Sequence, residues 1–438
     1  MTSPAELSGL FKEAYGDSIE NLIPEAAKLT KLIPFVQRDK ETGNKYHQPV
    51  IVAAEQGVTY AAADAGAFTL EDAVSMNMQD AQVQGNQQLL RSSLAYDAAA
   101  RASNSKKAFV KATELLVENM MESATKRLEI SMLHGQLGIG TIAIGGFDET
   151  APSATTATFV VEAASWATGI WSGSEGAKLV FFKDTSDTIS AGTNVTANDD
   201  TDKNIIITAV NADTRTISVS GSAAAIEDIN DYSVSKALTV YFKGSVTGSG
   251  ATFAYAEMAG LRKIISNTGT LFNINAATWN LWAGNTYTTS GQMTFSKLLS
   301  AVGKAVQRGL NEKVVVYCNP DTWANLASDL AALRRFDGSY NKKKSESGAE
   351  SICYFGQNGE IEIVSYNLVK AGELYIFPPK RCKRIGAQDL SFKTPGREGE
   401  IFLQLPNSAG FELRNYLDSA LFIETPARCV YVSGFTNS

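Results

Sequence analysis

The chain has 438 residues, of which 19% are charged and 44% hydrophobic, and its 39 basic and 46 acidic side chains give a formal net charge of -7. That length calls for two or three lobes around at least one large core, and the acidic balance excludes a surface built as a whole to hold nucleic acid. Charge is sparser than the roughly 25% of an average soluble protein, so much of the surface is expected to face protein instead of water.

No uninterrupted apolar run approaches the roughly 18 residues of a membrane helix, so no membrane partner is expected. The first residues, Met1-Thr2-Ser3-Pro4-Ala5-Glu6, have neither a basic start nor an apolar run. A cleaved signal peptide is therefore not expected, and the chain should stay in the cytosol after synthesis. The cysteines Cys318, Cys353, Cys382 and Cys429 are spaced too widely for a zinc knuckle or a compact disulfide scaffold, and read as reduced, mostly buried thiols.

Residues 5–33 carry apolar side chains at helical spacing (Leu7, Leu10, Phe11, Ala14, then Ile19, Leu22, Ile23, Ala26), interrupted by Gly16 and Pro24. A helical arm broken in this way has too little apolar stripe to fold alone and should dock on something else. Residues 38–57 place charged turn residues before strand-like Tyr46 and Pro49-Val50-Ile51-Val52, a hairpin-like extension. From there to residue 100 the chain is rich in Ala, Gln and Ser, with no compact core evident. The strongest helix covers residues 106–133, where Phe109, Ala112, Leu116, Met120, Ala124 and Leu128 recur every three or four positions. Glu122 and Lys126 form a favourable i,i+4 pair on it.

Residues 151–250 contain no histidine, no cysteine and a single proline, Pro152, which marks scaffold more than reaction site. Runs rich in Val, Ile, Thr and aromatics at 157–161, 178–183, 204–210, 214–220 and 237–243 predict a small antiparallel sandwich or barrel, with Asn211-Ala212-Asp213 as a hairpin turn. The block reads as an insertion between two mixed segments. After it, Phe295, Leu298, Leu299, Val302, Ala305 and Val306 share one helical face ending at Gly309. Val314-Val315-Val316-Tyr317-Cys318 reads as a buried strand, followed by Asn319 as N-cap and Pro320 opening a helix. The last sixty or so residues alternate as paired strands, with Ile401, Leu403 and Leu405, then Phe411 and Leu413, then Val430 and Val432.

Motifs that could carry chemistry lack their required context. Gly138-Ile139-Gly140-Thr141-Ile142-Ala143 has the letters of a dinucleotide fingerprint, but a long helix precedes it and Gly145-Gly146 stands where the binding helix should start. Asp200-Thr201-Asp202-Lys203-Asn204 resembles the start of a calcium loop, but Ile205 replaces the turn glycine and Asn211 the closing glutamate, so a solvated turn is favoured. His47 and His134 stand apart with no accompanying nucleophile motif and read as structural. The reading is of a non-enzyme with no catalytic residue, no cofactor and no metal ligand. Arg334-Arg335 with Lys342-Lys343-Lys344, and Lys380-Arg381-Cys382-Lys383-Arg384, are the densest basic runs. Such a run can neutralise phosphates weakly and without sequence preference, and a solvated loop is the plainer reading.

In order along the chain, the strings Gly260-Leu261 to Gly269-Thr270-Leu271-Phe272, then Trp279-Asn280-Leu281-Trp282, then residues 314–326 with Asn319-Pro320-Asp321, resemble major capsid proteins of tailed bacteriophages, which share the Hong Kong 97-type fold. The resemblance implies an α+β Hong Kong 97-type capsid fold: an N-terminal arm (1–35), an extended E-loop hairpin (36–90), a peripheral domain with a long spine helix (91–150) and an axial domain (251–398). C-terminal strands of the peripheral domain (399–438) complete it, and a small all-β insertion domain (151–250) is added as a decoration or brace. It also implies self-assembly, as hexamers and pentamers of a closed shell, into the icosahedral head of a double-stranded DNA phage. The expected partners are portal and possible scaffolding or decoration proteins and non-specifically packaged DNA, with location in the virion and, during assembly, the host cytoplasm. Candidate interface residues are Arg38, Lys40, Glu41, Lys45 and Tyr46 on the hairpin, and Lys342, Lys343 and Lys344 form a candidate weak DNA-facing loop. A secreted or surface-attached adhesion protein with a β-sandwich module is the alternative, suggested by the Thr-, Ser- and Asn-rich block alone; it should carry a secretion signal and repeated modules, and neither is found.

Overall fold

The computed structural model describes residues 27–37, 45–95, 106–182, 205–247, 254–329, 351–356, 359–392, 402–404 and 410–437. Its longest helix, Lys106–His134, has 29 residues, about 44 Å at 1.5 Å per residue. Leu128, Met132 and Leu133 are completely buried, so the C-terminal half of this spine runs through the core. The helix stops where Gly135 donates its N–H to the Ser131 carbonyl at 2.9 Å.

The described part of the arm lies against that spine. Leu29–Leu32 forms one helical turn, and Glu129 of the spine accepts from two of its otherwise unpaired N–H groups, Leu29 N at 2.9 Å and Thr30 N at 2.6 Å, and from the Thr30 hydroxyl at 2.6 Å. The Tyr366 hydroxyl also donates to Glu129 at 2.6 Å. Leu29 and Ile33 are fully buried. An arm expected to find its burial elsewhere therefore docks, from residue 27 onward, on its own subunit, because one acidic side chain satisfies the backbone that a short helix cannot. Phe35–Gln37 then adds in parallel to Cys382–Ser391. Residues 1–26 lie outside the described residues.

Cys382–Ser391 belongs to a five-stranded sheet centred on the long strand Gly410–Ile423, which also pairs with Phe402–Gln404 and Asn86–Ala95. A second, six-stranded sheet runs Asn285–Thr288, Val430–Ser433, Glu373–Phe377, Val314–Cys318, Gly359–Ser365, Ser351–Gly356. Its middle strand Val314–Cys318 is buried at every position, as its unbroken apolar run predicts. Asn319 caps the following helix Pro320–Ser328 by accepting the Asp321 N–H at 3.1 Å, and donates its amide to the Val369 carbonyl at 2.9 Å. Of the C-terminal strands, Gly410–Ile423 joins the sheet beside the spine, while Val430–Ser433 inserts between Asn285–Thr288 and Glu373–Phe377 of the other. The chain end thus ties the two sheets together.

The β-rich block closes into a six-stranded barrel, in the order Leu238–Phe242, Gly140–Glu149, Thr156–Val161, Thr216–Ser220, Ile205–Asn211, Lys178–Phe182. Aromatic side chains fill it: Phe147 stacks on Phe159 at 6.1 Å, and Phe181 meets both edge-on at 5.7 and 5.6 Å. Asn211 shapes the expected turn by accepting the Asp213 and Thr214 N–H groups at 3.1 and 3.2 Å. Two features differ from the expectation of an all-β unit starting at residue 151. The barrel already begins with strand Gly140–Glu149, which is the stretch carrying the glycine string, so a strand stands where a dinucleotide-binding helix would start. A helix, Ala223–Ser233, capped by Ser222 and packed on that strand, is part of the unit.

Candidate assembly interface

Strands Tyr46–Ala53 and Asn77–Val83 form the stem of the long hairpin, in antiparallel register from Tyr46 opposite Val83 to Ala53 opposite Asn77. Its base rests on the subunit's own body. Ala81 and Val83 are buried in a cluster with Ile274, Trp282, Ile385, Ala420 and Phe422. Beyond Ala53 the chain continues to Met76 as an extended loop held by a few bonds: Gln56 N to the Val74 carbonyl at 3.1 Å, and Glu71 N to the Thr59 hydroxyl at 2.9 Å.

The outer part of the hairpin exposes Ile51, Val58, Phe68, Leu70, Val74, Met76 and Met78, and Tyr60 is 91% exposed. Exposed apolar patches of this kind are a common feature of protein–protein and membrane contact sites and of binding grooves. Its charge has one sign: Glu55, Asp64, Glu71, Asp72 and Asp80 are present, and no Lys or Arg occurs between Lys45 and Arg91. On the stem His47 Nδ1 lies 2.6 Å from Asp80 Oδ2, and this hydrogen bond holds the Asp80 carboxyl below its usual range.

Lys45 and Tyr46 sit at the base, where Lys45 Nζ donates to Gln82 at 3.0 Å and the Tyr46 hydroxyl to Gln48 at 2.9 Å. Arg38, Lys40, Glu41 and the Lys342, Lys343 and Lys344 run lie outside the described residues. Sequence reasoning passed over the apolar tip because residues 54–76 follow neither helical nor strand periodicity. The available signal was a different one: large apolar residues interleaved with acids alone.

Ionisable groups elsewhere are built into the core. Glu373 lies 3.1 Å from Arg262 and 3.7 Å from His134 and accepts from the Tyr375 hydroxyl at 2.5 Å. Burial would raise its carboxyl, but Arg262, Lys370 and His134 outweigh this and hold it at about 2. Burial, reinforced by Lys370, drives His134 down to about 3, so the ring is neutral and its Nε2–H donates to the Leu368 carbonyl at 2.8 Å. Lys370 in turn donates to the Gly138 carbonyl at 3.0 Å. This network fastens the end of the spine to the six-stranded sheet. Burial raises the thiols of Cys318, Cys382 and Cys429, which suits inert side chains.

Residues 214–399 match the SU10 major capsid protein family. No curated protein sequence matches the chain. Among solved structures, the capsid asymmetric unit of cyanophage A-1(L) superposes with a TM-score of 0.54 at 10% identity, covering 99% of this chain and all of that one. The capsid of a native GTA particle (TM-score 0.49, 8% identity, 98% and 97% coverage) and mycobacterium phage Adephagia (0.46, 10%, 99% and 98%) are more distant. The fold rests on the first of these: an α+β, Hong Kong 97-type capsid fold carrying an added barrel. The chain thus resembles the SU10 major capsid protein family over residues 214–399 and has a capsid-type fold across its whole length.

Proposed function

We propose that this protein builds the icosahedral head of a tailed double-stranded DNA phage by self-association into hexamers and pentamers, with the outer hairpin of each subunit reaching a neighbouring copy. The observation that carries the reading is the outer hairpin itself, an apolar, acid-only extension of residues 51–78 whose base is anchored and whose far end is exposed. A portal, scaffolding or decoration proteins and loosely held DNA are the further partners in this reading, with the host cytoplasm as the place of assembly and the virion as the destination. Its role is structural and non-catalytic. The domain limits drawn from the sequence serve as the working division, except that the barrel unit starts at Gly140 and Val430–Ser433 belongs to the six-stranded sheet, and Arg38, Lys40 and Glu41 serve as further hairpin contacts. Lys342, Lys343 and Lys344 are assigned a weak, sequence-independent contact with the packaged genome, in keeping with an acidic chain that must release its cargo. The adhesion reading is not favoured.

Replacing residues 54–76 by a short glycine-containing turn tests the central claim, since Ala53 and Asn77 are already paired. The subunit should remain soluble with an unchanged thermal midpoint, and electron microscopy should find no closed shells under conditions where the parent chain forms them. Normal shells from the shortened chain would remove the proposal.

A further inference from the structure

Strands Thr270–Leu271 and Ile274–Asn275 pair with Leu271 opposite Ile274, leaving a two-residue turn of Phe272 and Asn273. Both turn residues have positive φ, 53° and 66°. Such a turn suits Asn and Gly, and a bulky aromatic at its first position is strained. Strain of this kind persists where surrounding contacts over-determine it.

Those contacts lead to the hairpin. The Phe272 ring meets Phe422 edge-on at 5.6 Å, inside the cluster that also buries Ala81 and Val83. The Phe272 carbonyl accepts the Gln82 N–H at 3.0 Å, and Asn273 reaches the Asp80 carbonyl at 3.5 Å. Behind the turn, Trp282 Nε1 donates to the Leu271 carbonyl at 3.2 Å. Next to this contact lies an open, largely polar cavity of about 360 Å³, lined by Lys45, Gln84, Asn86 and Gln136 among others. The stem is thus braced at the turn and undercut beside it.

We propose that the Phe272–Asn273 turn is the bracket that sets the angle of the long hairpin, making Phe272 a positioning residue for shell geometry. The inference rests on the assembly reading above. From Gln82 to Asn77 the stem extends about 17 Å at 3.3–3.4 Å per residue, so a rotation of about 10° at the bracket moves its far end by about 3 Å. Side-chain contact survives a gap of only about 1 Å, so a loosened bracket misplaces the tip on its neighbour.

The test compares Phe272→Gly, which suits the turn backbone but removes the ring, with Phe272→Tyr, which keeps it. Amide hydrogen exchange is followed at residues 79–83 in the unassembled subunit, alongside particle diameters by electron microscopy and the thermal midpoint. Phe272→Gly should exchange the Gln82 amide at least about tenfold faster and give a broadened or shifted diameter distribution from subunits that remain folded. Phe272→Tyr should match the parent chain in both. Where the glycine variant does not fold, Phe272→Leu takes its place with the same expected direction. Unchanged protection at Gln82 together with an unchanged diameter distribution would overturn the bracket. If the parent chain forms no shells at all, the assembly reading fails, and the exchange measurement by itself decides whether the turn holds the stem.

Discussion

Single carboxylates show how differently the same group behaves across this molecule. Glu373 is held at about 2 by its cationic neighbours, whereas burial pushes Glu257 up to about 7, against hydrogen bonds from the Gln136 N–H at 3.0 Å and the Ser131 hydroxyl at 3.4 Å and the charge of Arg127. Between about pH 4.5, where an unfolded glutamate ionises, and about pH 7, the folded chain keeps a proton on Glu257 that the unfolded chain releases. Glu257 by itself therefore lowers stability as pH rises through that window, by on the order of 1–3 kcal/mol, while His134, neutral in the fold but protonated below about pH 6.5 in the unfolded chain, raises stability with pH over the same range. Glu373 works the other way, but its contribution is lost only below about pH 4.5, outside the window. Thermal melts from pH 4.5 to 7.5 check this: with the Glu257 contribution removed, Glu257→Gln should make stability rise more steeply with pH across the window than in the parent chain. A parallel slope in the variant would assign the dependence to another group.

At the scale of elements, the inserted barrel is welded to the body. Lys126 of the spine donates to the Ser172 carbonyl at 2.5 Å, and the Arg127 guanidinium lies 3.3 Å over the Phe242 ring. Backbone bonds join Ala371 N to the Trp166 carbonyl at 2.8 Å and Gly372 N to that of Ala164 at 2.9 Å. One hydrophobic cluster runs from Leu29 and the spine through the barrel interior to Tyr317 and Phe377. The chain leaves the body near Gly135 and returns at Gly260, where the two backbones touch: a Cβ on Gly260 would lie 2.6 Å from Gly135 N and 2.8 Å from the Leu133 carbonyl oxygen. Backbone on both sides leaves little room to yield. Gly260→Ala should cost roughly 1–3 kcal/mol in denaturant unfolding, and loss of the barrel and body signals should coincide in one transition. Two separated transitions would show that the barrel is an independent unit.

Over the whole molecule, acidic and basic side chains are not evenly mixed. The net charge of -7 is not evenly spread, since the outer hairpin carries acids alone between Lys45 and Arg91. In the assembly reading its receiving surface is positive, and attraction between the two speeds encounter more than it tightens the final contact. Glu71→Lys with Asp72→Lys, both on the exposed loop, should leave the thermal midpoint unchanged and slow assembly at least about tenfold at low salt, with the difference shrinking near 1 M salt, where charges are screened beyond about 3 Å. Light scattering during assembly measures it. An unchanged rate would mean that the tip meets a neutral surface.

Local pattern was enough where burial follows chain spacing. The repeat of Ala112, Leu116, Met120, Ala124 and Leu128 located the spine helix to within a residue of its end, and the Asn319-Pro320 cap opened its helix where expected. Runs rich in β-branched and aromatic residues located the strands Thr156–Val161, Lys178–Phe182, Ile205–Asn211, Thr216–Ser220 and Leu238–Phe242 because such side chains fit the pleated surface of a sheet. What those patterns could not contain was pairing across long separations: Leu29 and Thr30 with Glu129, the Gly140–Glu149 strand closing a barrel against Leu238–Phe242, and Val430–Ser433 inserting into the six-stranded sheet. The candidate interface was legible only in part for the same reason. A sequence shows which side chains are apolar, but whether Val83 is covered while Tyr60 stands in water depends on Trp282 and Phe422, far along the chain, meeting one end of the hairpin and not the other.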